Sequence, residues 1–333
     1  MTKRTRYFLI GSAAVLVLGF CTGLVAYYGG GLPLLSAART GPAELSYVPP
    51  DAAMVAYANV RDVMTSQFRD RVRQMIPDQE RGQAEFQKET GIDIEHDIDL
   101  VIACVVAKEG SDGGLVVARG RFNTTQLETL ARAHGGEVSD YKGKRLILTT
   151  GKLHGETGEV RLAGKRGGMA FLEPGVVAIG DETTIMRSID ASLSGQSVTG
   201  NEEMMKLVGE IEGGANAWAV GRFDALASRA KLPAEVSQKI PQVKWFAATG
   251  RINGGLSGMV RVEAVNEEAA KNLRDVVTGF FALARMQASS EPAIQGMLQA
   301  LQLSGTGTSV VVSFTIPSEV LDAFAKIAKK PGN

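Results

Sequence analysis

Histidine and cysteine are scarce in this 333-residue chain, which holds three of the first and two of the second. Protein-built metal centres need His, Cys or carboxylates in clusters. His96, His134 and His154 are scattered, and no His-Glu-x-x-His or Cys-x-x-Cys occurs. Cys104 is the only thiol beyond the first 28 residues, so no disulfide can staple that part internally. Its neighbours Ala103, Val105 and Val106 are apolar, the setting of an inert core thiol rather than a reactive one. Net charge is missing too, with 36 Lys+Arg against 36 Asp+Glu, so the chain carries no electrostatic footprint for nucleic acid. With 44% hydrophobic and 22% charged residues it is not a disordered sequence either.

The common catalytic patterns are equally absent. There is no Gly-x-Ser-x-Gly elbow. Ser139-Asp140-Tyr141-Lys142 and Ser228-Arg229-Ala230-Lys231 match Ser-x-x-Lys, but the companion Ser-Asp-Asn and Lys-Thr-Gly are missing. Gly305-Thr306-Gly307-Thr308-Ser309 precedes a strand-like run instead of following one and lacks a Walker lysine, so it reads as a turn. Gly164-Lys165-Arg166-Gly167-Gly168 reads as a basic, solvated hairpin tip. The one acidic cluster runs from Asp93 through Glu95 and Asp97 to Asp99. A calcium loop starting at Asp93 would need Gly at its sixth place and Glu at its twelfth, where Ile98 and Cys104 stand. A solvated turn is the reading that fits. The sequence therefore nominates no catalytic, cofactor-binding or metal-ligating residue.

What is present begins with charge asymmetry. Residues 1–50 hold Lys3, Arg4, Arg6 and Arg39 against Glu44, a net of +3, which leaves −3 for residues 51–333. After the basic start at 1–6, residues 7–28 carry no charge and are rich in Leu, Val, Ala, Phe and Gly. As a helix they span about 33 Å against a hydrocarbon core of about 30 Å, with Tyr7, Tyr27 and Tyr28 at the interfacial levels. The length favours an uncleaved transmembrane anchor through Tyr7–Tyr28 over a cleaved signal peptide, whose apolar core is shorter. A lipid-modified Cys21 is a weaker third reading, because bulky Phe20 precedes it. The basic start places the N-terminus in the cytoplasm and the bulk of the chain outside. Gly19 and Gly23 form a small-xxx-small pair through which two such helices could associate.

Residues 29–48 read as a tether, broken by Gly29-Gly30-Gly31, Pro33 and Gly41-Pro42, with the folded part expected from Pro49. From there the sequence predicts an α+β protein in two related halves, 49–212 and 213–333, each of order β-α-α-β-β-α with a strand–helix ending. In the first half, strands are predicted at 53–58, 100–106 and 115–122, with Asn123 capping a helix over 124–133. In the second, strands at 217–220, 243–252 and 256–265 lead into a helix capped by Asn266 and continuing to about Ala288. Asn253-Gly254-Gly255 supplies the positive-φ residues of a tight hairpin. The junctions agree as well: Gly120-Arg121-Phe122-Asn123 matches Gly221-Arg222-Phe223-Asp224. Hairpin connections predict mainly antiparallel sheets, with helices layered on one face.

Three stretches carry a resemblance. Tyr47-Val48-Pro49-Pro50-Asp51-Ala52-Ala53-Met54-Val55-Ala56-Tyr57, the Gly91-Ile92-Asp93 turn and Val177-Ala178-Ile179-Gly180-Asp181 resemble those of a broad group of membrane-anchored bacterial envelope proteins of unknown function. The resemblance spreads over about half of the chain, implies an exported, tethered α+β protein and transfers no site residues. Two functions compete: a non-enzymatic envelope module that binds a partner protein or an envelope component, or associates with itself, and an exported hydrolase whose site is assembled from distant residues. The first requires an exposed apolar patch or groove. The second requires polar groups such as Ser139 or Asp140 to converge with His134 or His154.

Overall fold

A computed structural model describes residues 41–66, 69, 84, 86–88, 90–106, 113–133, 135–153, 160–211, 213–223, 243–253, 255–287 and 292–320. The expected anchor at 7–28, the tether to residue 40, His134, His154, the Ser228–Lys231 pattern, the helices expected after Asp224 and Pro233 and the chain beyond residue 320 lie outside the described residues. Among the described residues no helix is long and apolar enough to cross a membrane.

The strands are β1 (Ala52–Ala58), β2 (Ile98–Val106), β3 (Gly113–Gly120), β4 (Glu137–Tyr141), β5 (Lys144–Leu153), β6 (Val160–Glu173), β7 (Val176–Asp181), β8 (Ala217–Arg222), β9 (Val243–Asn253), β10 (Gly255–Ala264), β11 (Leu301–Ser304) and β12 (Ser309–Ile316). The helices are α1 (Val60–Met64), α2 (Ile94–Asp97), α3 (Thr124–Ala133), α4 (Glu182–Ser194), α5 (Glu202–Ile211), α6 (Glu267–Gln287) and α7 (Pro292–Gln299), with 3-10 turns at Ala43–Tyr47 and Val198–Gly200. The mixed α+β class and the antiparallel sheet are as the sequence predicts.

All twelve strands join one sheet in the order β11-β12-β10-β9-β8-β1-β2-β3-β7-β6-β5-β4, and every neighbouring pair is antiparallel. The boundary expected at 212/213 falls between α5 and β8, and the sheet crosses it without a break through the β1–β8 pair. Ala56 and Ala219 lie opposite each other at the middle of that pair, and Tyr57 stacks on Trp218 with ring centroids 5.5 Å apart. Moving outward from this pair, each side repeats one order: β1-β2-β3-β7-β6 on one side and β8-β9-β10-β12-β11 on the other. The hairpin β4–β5 extends the first side alone.

Strand alternation sends neighbouring residues to opposite faces, and both faces are covered. On one, Ile102, Leu115, Val117, Leu148 and Trp218 pack beneath Ile185 and Ile189 of α4 and Met204 and Val208 of α5. On the other, Val101, Ala118 and Val177 pack beneath Val60 of α1 and Leu127 of α3, while α6 and α7 cover the matching face of β10–β12. The expected layering of helices on one face is therefore wrong. The inner strands are apolar at consecutive positions, Val116-Val117-Ala118 for example, and such strands need cover on both sides.

Two further expectations are corrected. Residues 43–48, read as tether, are part of the fold: Leu45, Tyr47 and Val48 are buried beside α4, and Val48 O accepts a bond of 2.9 Å from Val198 N. Residues 164–168, read as a hairpin tip, run through the interior of β6, where Gly167 and Gly168 pair with β5 on one side and β7 on the other. Gly168 is required there, because a Cβ would lie 1.8 Å from Ile147 O.

Candidate interaction surface

The acidic turn is satisfied from within the chain. Asp93 caps α2 by accepting from Glu95 N at 3.0 Å, and its other oxygen lies 2.8 Å from His96 Nδ1. Asp97 accepts from Asp93 N at 2.9 Å and from Arg121 Nε at 3.1 Å, Glu95 pairs with Arg69, and Asp99 pairs with Arg61. Each carboxylate thus faces its own cation or N–H donor and none converges on a shared centre. Among the described residues no group of three or more His, Cys, Asp or Glu side chains is placed to hold a metal ion.

Of the residues of the hydrolase reading, His134 and His154 lie outside the described residues, and the structure places Ser139 and Asp140. Asp140 accepts from Gly143 N at 3.0 Å and holds the β4–β5 turn, in which Lys142 takes the left-handed φ of 52°. Tyr141 Oη and Lys142 Nζ both reach Asp190 of α4, at 3.2 and 2.6 Å. Ser139 sits half-buried on the edge strand β4. Gly305–Ser309 is a turn, closed by a bond of 3.0 Å from Ser309 N to Thr306 O.

Cys104 is buried in the core, and burial pushes its thiol up to about 12. Thiol reagents at pH 8 are therefore expected to label the folded domain at Cys104 only as fast as it unfolds. Labelling of folded protein at the rate of a free thiol would disprove the burial.

One partly buried polar cluster escaped the sequence reading. Glu44, 3% exposed, accepts from Arg119 Nε, and Arg119 Nη2 donates to Glu173 Oε1 at 2.9 Å. Tyr47 lies beside Glu173, and its phenol is pushed up to about 12, by burial first and then by that carboxylate. No spacing signals such a cluster, since its members come from the 3-10 turn at 43–47, β3 and the end of β6. Its chemistry is that of a clamp, with each carboxylate answered by the guanidinium between them. The raised Tyr47 value fixes a direction with pH. The phenol's contribution to stability is complete below its ordinary value of 10.0 and is lost as pH rises through about 12. The urea midpoint is therefore expected to fall across that window, in step with tyrosinate absorbance.

α6 is different in kind. Asn266 caps it, its Oδ1 accepting from Ala269 N at 2.8 Å. Its first half is seated by Ala270 and Leu273 against Ala264, Val310 and Leu303, and Arg274 Nη1 donates to Ser309 O at 3.0 Å. Beyond that point no residue is buried. Val276, Phe280, Leu283 and Met286 are 57%, 38%, 49% and 75% exposed and recur at i, i+4, i+7 and i+10. At 100° per residue they form one stripe along the helix. Of the seven large hydrophobic side chains exposed among the described residues, these four share a single face. Gly279 lies within the stripe, and a Cβ there would meet nothing within 4 Å. In an exposed helix interior that glycine costs about 1 kcal/mol relative to Ala, with no neighbour among the described residues that requires it. The sequence pattern places Leu273, Val276, Val277, Phe280 and Ala284 on one face. Leu273, Val277 and Ala284 are half-buried, whereas Val276 and Phe280 belong with Leu283 on the open side. Apolar residues encircle this part of the helix, so periodicity alone could not choose the buried side.

Against known proteins, no family model matches the chain, and no curated protein matches it. Among solved structures it is similar to TP0453 in crystal form I, at a TM-score of 0.47 and 9% identity over 87% of this chain and 99% of that one. Crystal form IV of TP0453 gives a TM-score of 0.48 and 10% identity over 87% and 96%.

Proposed function

We propose that the protein is a non-enzymatic interaction module held at the outer side of a bacterial cell membrane, with Tyr7–Tyr28 as its single-pass anchor, the N-terminus in the cytoplasm and two duplicated α+β halves outside. The open stripe Val276–Phe280–Leu283–Met286 carries this reading, because folded surfaces rarely present a contiguous apolar face without a partner. The matching strand orders on either side of β1–β8 support the duplication. Lys3, Arg4 and Arg6 ahead of an uncharged segment long enough to span the bilayer support the anchor and its orientation.

Two measurements test the proposal. Protease added to intact spheroplasts is expected to degrade the domain after Gly41, and protection of the domain would overturn the orientation. A photoreactive benzoylphenylalanine in place of Phe280, in the full chain in its native membrane, is expected to form an adduct. The same group in place of Thr278, on the opposite side of α6, should form none. Equal or absent yields at the two positions would remove the interaction surface.

A further inference from the structure

We infer that the occupant of the α6 stripe is α6 of a second copy of this chain, packed antiparallel about a two-fold axis that passes between Gly279 and Phe280. The inference rests on the stripe being an interaction surface and adds the identity of what it binds.

Three observations select a second copy. The stripe is self-complementary about that axis. Reversing the helix direction there brings Phe280 over Gly279 of the second copy and Val276 against Leu283 of the second copy. A bulky side chain is matched to open space above a glycine, and two aliphatic side chains are matched to each other. An isologous contact requires this reciprocity, and a two-fold axis along the membrane normal lets both anchors enter the same bilayer. Gly279, surrounded by nothing within 4 Å, is accounted for by the close approach of another helix. The charge pattern disfavours a lipid surface. α6 carries Glu267, Glu268 and Asp275 against Lys271, Arg274 and Arg285, so it lacks the basic excess that attracts a helix to anionic lipid.

The size of the surface also bears on where pairing occurs. The stripe from Val276 to Met286 is about 15 Å long, well short of the ~800 Å² per partner of a stable soluble interface. Between the end of the proposed anchor at Tyr28 and the start of the fold at Ala43 lie 14 residues, which hold the domain within about 50 Å of the membrane. Copies confined to that layer meet at high effective concentration, so a contact too weak for solution suffices.

The test uses the full-length chain in native membranes, with Cys21 replaced by Ala and buried Cys104 left in place. Oxidation of the V276C/L283C variant is expected to double the 35.3 kDa chain mass on a non-reducing gel. V276C alone and T278C should stay at single mass. Within one chain positions 276 and 283 are about 10 Å apart, too far for a disulfide. An efficient dimer from V276C alone would mean parallel pairing and overturn the geometry. No dimer from the double variant, together with a Phe280 photoadduct to lipid or to a chain of another mass, would overturn self-pairing and leave the interaction surface standing. Absence of both products would remove both readings. All these side chains are exposed, so an unchanged thermal melt shows that the fold is kept in each variant.

Discussion

A soluble fragment that begins at Gly41 is expected to fold, and one that begins at Pro49 is expected not to. The eight residues between them include Leu45, Tyr47 and Val48, which are 1%, 8% and 0% exposed. Removing these three side chains from the core costs roughly 4.5–9 kcal/mol at about 1.5–3 kcal/mol each, and total stability is about 5–15 kcal/mol. The shorter fragment also loses Glu44 from the partly buried cluster and the bond from Val198 N to Val48 O. Circular dichroism and a urea titration of the two fragments decide the matter. If the fragment from Pro49 unfolds cooperatively at the same urea midpoint, residues 43–48 are tether after all.

The second large effect is at Arg119. Its guanidinium lies between Glu44 and Glu173, and Glu44 has almost no access to water. Burial opposes the charged guanidinium, but the two carboxylates outweigh it, and the Arg119 pKa is raised. Arg119→Met keeps the aliphatic stem and removes the charge, leaving Glu44 buried without its cation. Breaking a buried pair from one side costs about 3–5 kcal/mol. Arg119 is about one-third exposed, which places the expected loss near 3 kcal/mol, or roughly 6–12 °C in Tm. The double variant Glu44→Leu with Arg119→Met should recover most of the loss, because an apolar pair of similar size pays no desolvation. A single variant with wild-type Tm would show that Glu44 is hydrated and that the clamp does not hold the start of the fold. A double variant as unstable as the single one would show that packing, not charge, is the function of the pair.

Both effects arise where the chain enters its fold from the proposed anchor. The clamp pins the 3-10 turn at 43–47 to β3 and β6, so force applied through the tether meets the cluster before it reaches the sheet. The Tyr47 phenol, raised to about 12, stays protonated throughout the physiological range.

Much of the local structure was legible in the sequence. Apolar alternation and turn residues located β1, β2, β3, β8, β9 and β10 to within a few residues. Asn123 and Asn266 cap their helices as their side-chain chemistry requires, accepting from Gln126 N at 3.1 Å and Ala269 N at 2.8 Å. β11 and α7 were not legible. β11 is a four-residue strand, too short for alternation to register. β6 was obscured by Gly164–Gly168, where glycines that normally announce a turn instead let two backbones approach. Of the candidate surface, the sequence showed an amphipathic helix but not its exposed side.

Composition, periodicity and caps thus determined many of the elements, their antiparallel pairing and the absence of familiar catalytic sets, because each of these is written in residues within a turn or a hairpin of one another. Tertiary structure alone decided that β1 meets β8 across some 160 residues, that helices cover both faces, that residues 43–48 belong to the core and that the far half of α6 is left open. Backbone hydrogen bonds are the same for any pair of strands, and a side chain's exposure depends on what packs over it. Neither is encoded near the residue concerned.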